Sequence, residues 1–266
     1  MKTLILSLLC FAFPLQGAWA MDLDDVIAGS QRSEENRKRD EFRHPAETLR
    51  FFQVAPEMTV VEVWPGMGWY TEILAPYLKD SGKLYAAHFV ASSEVPYFNK
   101  IRGEFSAKLA ADPDNYGAVE VVEFNPGRSL LAVADGSADR VLTFRNVHNW
   151  LRDNSEQKAF ELFFEALKPG GMLGVVEHRA PQDKDRQWML DNGYVTEAYV
   201  IELAENAGFT LVEKSDVNSN PNDDAEHPSG VWSLPPTLRL GDTDREKYLA
   251  IGESDRMTLL FVKPEN

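Results

Sequence analysis

Val60-Val61-Glu62-Val63-Trp64-Pro65-Gly66-Met67-Gly68-Trp69-Tyr70-Thr71 runs an apolar stretch into a glycine turn and then into helix-compatible residues. That is the layout by which doubly wound α/β proteins hold a nucleotide-like ligand. Glycine lets the backbone approach a ligand closely, and the free amides that open the next helix favour a carboxylate or phosphate. The chemistry is therefore expected at the carboxyl end of this strand, with Gly68 near the ligand.

Outward from this turn, apolar runs and helix-like stretches alternate. The pattern predicts strands over residues 59–64, 83–89, 119–124, 139–144, 172–177, 210–214 and 256–262. It predicts helices over residues 69–79, 96–110, 155–167 and 195–207, the third stopped by Lys168-Pro169-Gly170-Gly171. Near-continuous apolar strands separated by helices imply a mostly parallel sheet covered on both faces, an α/β doubly wound fold. Upstream, the charged stretch Ser33 to Arg43 and a short helix begun by His44-Pro45 are expected to pack beside the glycine loop. Residues 215–255 are rich in Asn, Asp and Pro and too long for a hairpin loop, so they are expected to form a lid or wall over the site.

Residues 1–20 read as a secretory signal peptide: Lys2, an apolar core from Leu4 to Phe13, and Ala18-Trp19-Ala20 before Met21. The apolar run is too short to span a bilayer. The single cysteine, Cys10, lies in this segment, so residues 21–266, read as one domain, carry no disulfide, thiolate zinc site or thiol nucleophile. An exported, periplasmic protein without membrane insertion is expected. The formal net charge of −15 disfavours nucleic acid as a partner and points to a small-molecule substrate.

The chain resembles the class I S-adenosylmethionine-dependent methyltransferases, and within them a group of exported predicted methyltransferases. The resemblance spans the mature chain and rests on residues 60–70, on DRVLTFRNVHNW at 139–150, on LKPGGMLGVVE at 167–177 and on GESDRMTLL at 252–260. It implies a seven-stranded sheet in the order 3-2-1-4-5-7-6 with the last strand antiparallel, S-adenosylmethionine as cofactor, and methyl transfer to an acceptor that the sequence leaves open, a small anionic one being the expectation from the arginines below. It places Glu62, Trp64, Gly66, Gly68, Tyr70, His88 and Asn125 around the cofactor and Asn146 and His148 beside the transferred methyl group, with His148 as base.

Two positions depart from that pattern. Trp64 stands where the loop's first glycine is usual, so the turn is built without a residue that tolerates positive φ, and the indole either stacks on a ligand or fills its space. His88 stands where a ribose-binding carboxylate is usual, with Glu94 as a substitute from the next loop and Asn125 as an adenine contact.

His88, His148 and His178 each follow a predicted strand, and Arg145 and Arg179 do the same. Arginine at such an edge in an acidic chain reads either as recognition of a carboxylate or phosphate or as pairing with a local acid. Arg145, Arg179 and His178 are accordingly candidates for the substrate site. Two other readings stay open. One is a binding module that keeps this fold without transfer activity. The other is a metal-dependent hydrolase using His148, Glu177 and His178, although no metal site is assigned from sequence.

Overall fold

The computed structural model describes residues 22–265; the signal-peptide reading of residues 1–20 lies outside them. Nine strands follow in chain order: β1 (Thr59–Val63), β2 (Lys83–His88), β3 (Glu120–Asn125), β4 (Leu130–Leu131), β5 (Ala138–Phe144), β6 (Leu167–Ala180), β7 (Val195–Thr196), β8 (Thr210–Ser215) and β9 (Arg256–Val262). They form a sheet in the order β4-β3-β2-β1-β5-β6-β9-β8, with β7 on β6. β1, β2, β3, β5 and β6 are mutually parallel, and β9 runs antiparallel to both β6 and β8. Without the two-residue strands β4 and β7 this is the expected seven-stranded order.

Burial explains the apolar strands. Val60, Val61 and Val63 of β1 are each at most 1 % exposed, because helices cover both faces. On one face Phe124, Val141, Trp150, Phe160, Phe163, Leu173 and Phe261 form one core. On the other, Leu49, Phe52, Ile73, Leu74, Phe105, Phe144 and Leu260 form a second. Helix Glu156–Ala166 sends Phe160 and Phe163 into the first, and helix Thr71–Leu78 sends Ile73 and Leu74 into the second.

Two expectations need correction. Lys168-Pro169-Gly170-Gly171 is not a loop between helix and strand. β6 already starts at Leu167, pairing with Ala138 before a register shift that absorbs the extra residues, with Gly170 at φ 75. The predicted helix at 195 starts at Glu197, because Val195 and Thr196 pair with Arg179 and Ala180, and Thr196 caps the helix through the Tyr199 N–H. Residues 216–255 line neither of the two cavities beside the glycine loop, although Glu253 pairs with Arg39 and Arg43 in the wall of one. Asn218 donates to Thr48 and Thr258, and Val231 and Ala225 pack on Tyr194 and Ala180.

Among the described residues no helix is long and apolar enough to cross a membrane.

Candidate functional site

Two cavities flank the turn after β1, one of about 260 Å³ and one of about 550 Å³. Trp64, Gly66 and Asn146 line both, so these three residues form the shared wall. The crevice beside the glycines is open. Both cavities lie at the carboxyl ends of the parallel strands, the edge where open α/β sheets bind ligands.

The turn is strained. Trp64 adopts φ 43, and Gly66 and Gly68 adopt φ 60 and 80. The sequence expectation of a turn built without positive φ is therefore overturned: tryptophan itself takes the left-handed conformation, at a cost of roughly 1–2 kcal/mol. Packing holds it there. Its ring lies 4.8 Å from Phe89, 5.7 Å from Trp150 and 5.8 Å from Phe124, and its Nε1 donates to the Phe124 carbonyl at 3.3 Å. Arg145, which follows the neighbouring strand β5, adopts φ 62. Trp64 and Arg145 thus both take this conformation at the ends of adjacent strands.

The loop's backbone is partly unspent. The Gly68 N–H donates to Pro65 and the Glu72 N–H to Gly68, whereas the N–H groups of Gly66, Met67, Trp69 and Tyr70 meet no carbonyl among the described residues. All four of these residues line the 260 Å³ cavity. They open the helix Thr71–Leu78, whose dipole adds to their attraction for an anion. Lys108 fixes the turn from helix Pro96–Ala111 by donating to the Met67 carbonyl at 3.0 Å and to Glu72 at 2.7 Å.

Glu62 lines the smaller cavity and is 2 % exposed. Burial pushes its carboxyl up to about 7, against a hydrogen bond from Thr71 Oγ1 at 2.6 Å that stabilises the charge. Tyr70 lines the same cavity, stacked on Phe144 with ring centroids 3.6 Å apart, and burial raises its hydroxyl pKa. Asn146 donates through Nδ2 to the Val63 carbonyl at 2.9 Å and to Thr143 Oγ1 at 3.2 Å. Both amide protons are spent, so its Oδ1 is the atom left to face the cavities. Asn125 and Glu94 line the larger cavity, where Asn125 Oδ1 also accepts the Arg128 N–H.

Several sequence candidates fall elsewhere. His88 is fully buried and lines neither cavity. Its Nδ1 accepts the Phe89 N–H at 2.8 Å, so its Nε2 carries the proton and donates to the Gly66 carbonyl at 3.1 Å. With both nitrogens used it braces the loop and has none left for a ribose. Gly68 also lines neither cavity: a Cβ there would stand 3.0 Å from Phe105 and 3.2 Å from Thr71 Oγ1, so this glycine faces the core and not a ligand. Arg179 is spent on Asp255, through Nε at 2.8 Å and Nη2 at 2.9 Å, with Nη2 also donating to Ser219 at 2.7 Å. The hydrogen bonds it donates to Asp255 raise its pKa.

His148 and His178 gather with Glu177 away from both cavities. Glu177 Oε1 accepts His148 Nδ1 at 2.9 Å and the His178 N–H at 2.8 Å, and Oε2 accepts the His148 N–H at 3.3 Å. Glu177 thereby orients both histidines, and the three residues offer ligand atoms that all lie within 4.8 Å of one another. Burial holds the His178 imidazole well below its usual pKa, with His148 beside it adding to the effect.

Three residues that the sequence did not single out join the site. Asn36, Arg39 and Arg43 line the smaller cavity. Arg43 and Arg32 sandwich the Trp69 indole, their guanidinium carbons 4.7 and 4.9 Å from its centroid, and Trp69 Nε1 donates to the Asn36 carbonyl. The only signal was the expectation that Ser33 to Arg43 packs beside the loop. Their charge pattern reads as a solvated helix face.

No family model and no curated protein matches the sequence. Solved structures do match over nearly the whole chain. An S-adenosylmethionine-dependent methyltransferase from Aquifex aeolicus is 17 % identical, with a TM-score of 0.56, over 91 % of this chain and 99 % of that one. The [4+2]-cyclase SpnF is 14 % identical, with a TM-score of 0.59, over 92 % of each chain. An S-adenosylmethionine-dependent methyltransferase from Mesorhizobium loti is 14 % identical, with a TM-score of 0.52, over 82 % of this chain and 96 % of that one. This chain has the class I methyltransferase fold. A cyclase among its structural neighbours shows that the fold hosts more than one chemistry.

Proposed function

We propose that this protein is an S-adenosylmethionine-dependent methyltransferase acting on a small molecule. The observation that carries the reading is the pair of cavities meeting at Trp64, Gly66 and Asn146, with unspent loop amides in the smaller one. Their combined size suits a nucleoside joined to an amino acid.

The residues present fit that ligand. The free amides of Gly66, Met67, Trp69 and Tyr70 suit its carboxylate, and Glu62 suits its ammonium, which would return the carboxyl to the charged form. In the larger cavity Glu94 suits ribose hydroxyls, and Asn125 with the aromatic wall of Phe89, Phe98 and Phe124 suits a purine. His88 has no part in this beyond bracing Gly66. When bound, the cofactor supplies a sulfonium-activated methyl group whose carbon–sulfur electron pair leaves with sulfur as the acceptor's lone pair attacks. The protein's share is alignment. Asn146, fixed by its two donor bonds and lining both cavities, places a carbonyl oxygen where the cavities meet, next to an electron-poor methyl.

Calorimetric titration of the protein with S-adenosylmethionine and with S-adenosylhomocysteine tests this. Saturable binding of both is expected, and flat traces for both would remove the reading. Loss of affinity in Glu62→Gln with retained folding would locate the ligand in the smaller cavity.

A further inference from the structure

The smaller cavity holds more positive charge than its neighbours balance. Arg39, Arg43 and Arg145 line it, in a chain whose formal charge is −15. Arg39 and Arg43 share one carboxylate, Glu253, which accepts Arg39 Nε at 2.5 Å and Arg43 Nε at 3.2 Å, and Arg256 Nη2 as well. Glu62 is the other acid in the wall, and burial raises its pKa to about 7, which weakens it as a counter-charge. The half-buried Arg145 guanidinium makes no hydrogen bond or ion pair with a described residue, and Arg39 Nη2 is buried without a partner.

An uncompensated buried charge is costly, and a planar guanidinium left free beside others is suited to bidentate capture of an oxyanion. The strain is visible in the groups themselves. Burial, followed by repulsion from Arg256, brings Arg145 down to about 10, and burial, followed by repulsion from Arg145, lowers Arg43 well below its usual range. In the methyltransferase reading the loop amides would take the cofactor's carboxylate and its own ammonium would offset it, which leaves the arginines unanswered. The sulfonium would worsen the repulsion.

We propose that Arg39, Arg43 and Arg145 form a receptor for the carboxylate or phosphate group of the methyl acceptor, a site distinct from the one that holds the cofactor's carboxylate. This deepens the methyltransferase reading and rests on it. Because the sulfonium is cationic and the demethylated thioether neutral, an anion in this site favours the methylated cofactor over the product. Anion and S-adenosylmethionine should then bind with positive coupling.

The test is calorimetry on the full chain with inorganic phosphate as probe. Phosphate should bind the protein saturated with S-adenosylhomocysteine, should raise the affinity for S-adenosylmethionine severalfold more than that for S-adenosylhomocysteine, and should lose tenfold or more of its own affinity in Arg145→Gln. Arg145 has no side-chain partner to lose, and the variant's thermal unfolding checks its fold. Displacement of phosphate by S-adenosylhomocysteine would overturn the proposal, because the arginines would then hold the cofactor's carboxylate. Equal phosphate affinity in Arg145→Gln would overturn it as well. A protein that binds phosphate through Arg145 but ignores both cofactor forms would keep the oxyanion receptor and lose the methyltransferase reading.

Discussion

His88 donates from Nε2 to the carbonyl of Gly66 at 3.1 Å, tying the end of β2 to the turn that follows β1. A buried imidazole so placed is locked as one neutral tautomer, and burial takes its pKa down to about 4. The loop that lines both cavities thus depends on a histidine that touches neither.

The locked imidazole has a pH signature. Its folded pKa lies below the ordinary 6.5, so the unfolded chain takes up a proton that the native state refuses. Stability contributed by His88 is intact above pH 6.5 and declines as pH falls towards 4, by roughly 3 kcal/mol over that window. His88→Asn should abolish this component, measured as the difference between wild-type and variant urea midpoints at pH 7 and pH 4.5.

Glu62 runs the other way. Its folded pKa of about 7 exceeds the ordinary 4.5, so the native state holds the extra proton. The stability it contributes is present below pH 4.5 and is lost as pH rises to 7, again by roughly 3 kcal/mol. The two windows overlap and the slopes oppose. The wild type should therefore show a shallower profile between pH 4.5 and 6.5 than either variant, with Glu62→Gln gaining stability as pH rises and His88→Asn losing it.

Gly66 and Gly68 should respond differently to alanine. At Gly66 a Cβ meets nothing within 4 Å, and the residue lines both cavities. Gly66→Ala should cost about 1–2 kcal/mol from its left-handed backbone, together with a larger loss of S-adenosylhomocysteine affinity. At Gly68 the same strain adds to contact with Phe105 and Thr71, so Gly68→Ala should lower the unfolding temperature more than Gly66→Ala does. Equal effects on stability would contradict the assignment of Gly68 to the core.

Arg179→Ala should behave as a structural lesion. It breaks a two-point bond to Asp255 that links β6 to the segment before β9, at about 1–3 kcal/mol. Ligand affinity measured by calorimetry should stay at the wild-type level, because Arg179 lines neither cavity.

The alternation of strands and helices and the glycine turn were legible in sequence because they rest on local signals, whereas the sheet order followed only from the resemblance. Val60 to Val63 read as a strand since both faces are buried, and Gly66 and Gly68 read as a turn since only such residues take φ 60 and 80 without strain. Trp64 misled because its left-handed backbone is held by Phe89, Phe124 and Trp150, none of them a sequence neighbour. Likewise, Lys168 to Gly171 look like a loop by composition, and pairing of Leu167 with Ala138 draws them into the strand.

Sequence alone therefore determined the α/β alternation and the edge at which Glu62, Gly66 and Asn146 gather, since periodicity and turn chemistry act over a few residues. Which of the charged side chains remain free was decided only by the tertiary structure. Arg39 meets Glu253 across 214 residues and Arg179 meets Asp255 across 76, while the Arg145 guanidinium bonds no acid among the described residues. Ion pairing depends on distance in space, and a guanidinium looks the same in sequence whether its carboxylate is waiting across the fold or is still to arrive with a ligand.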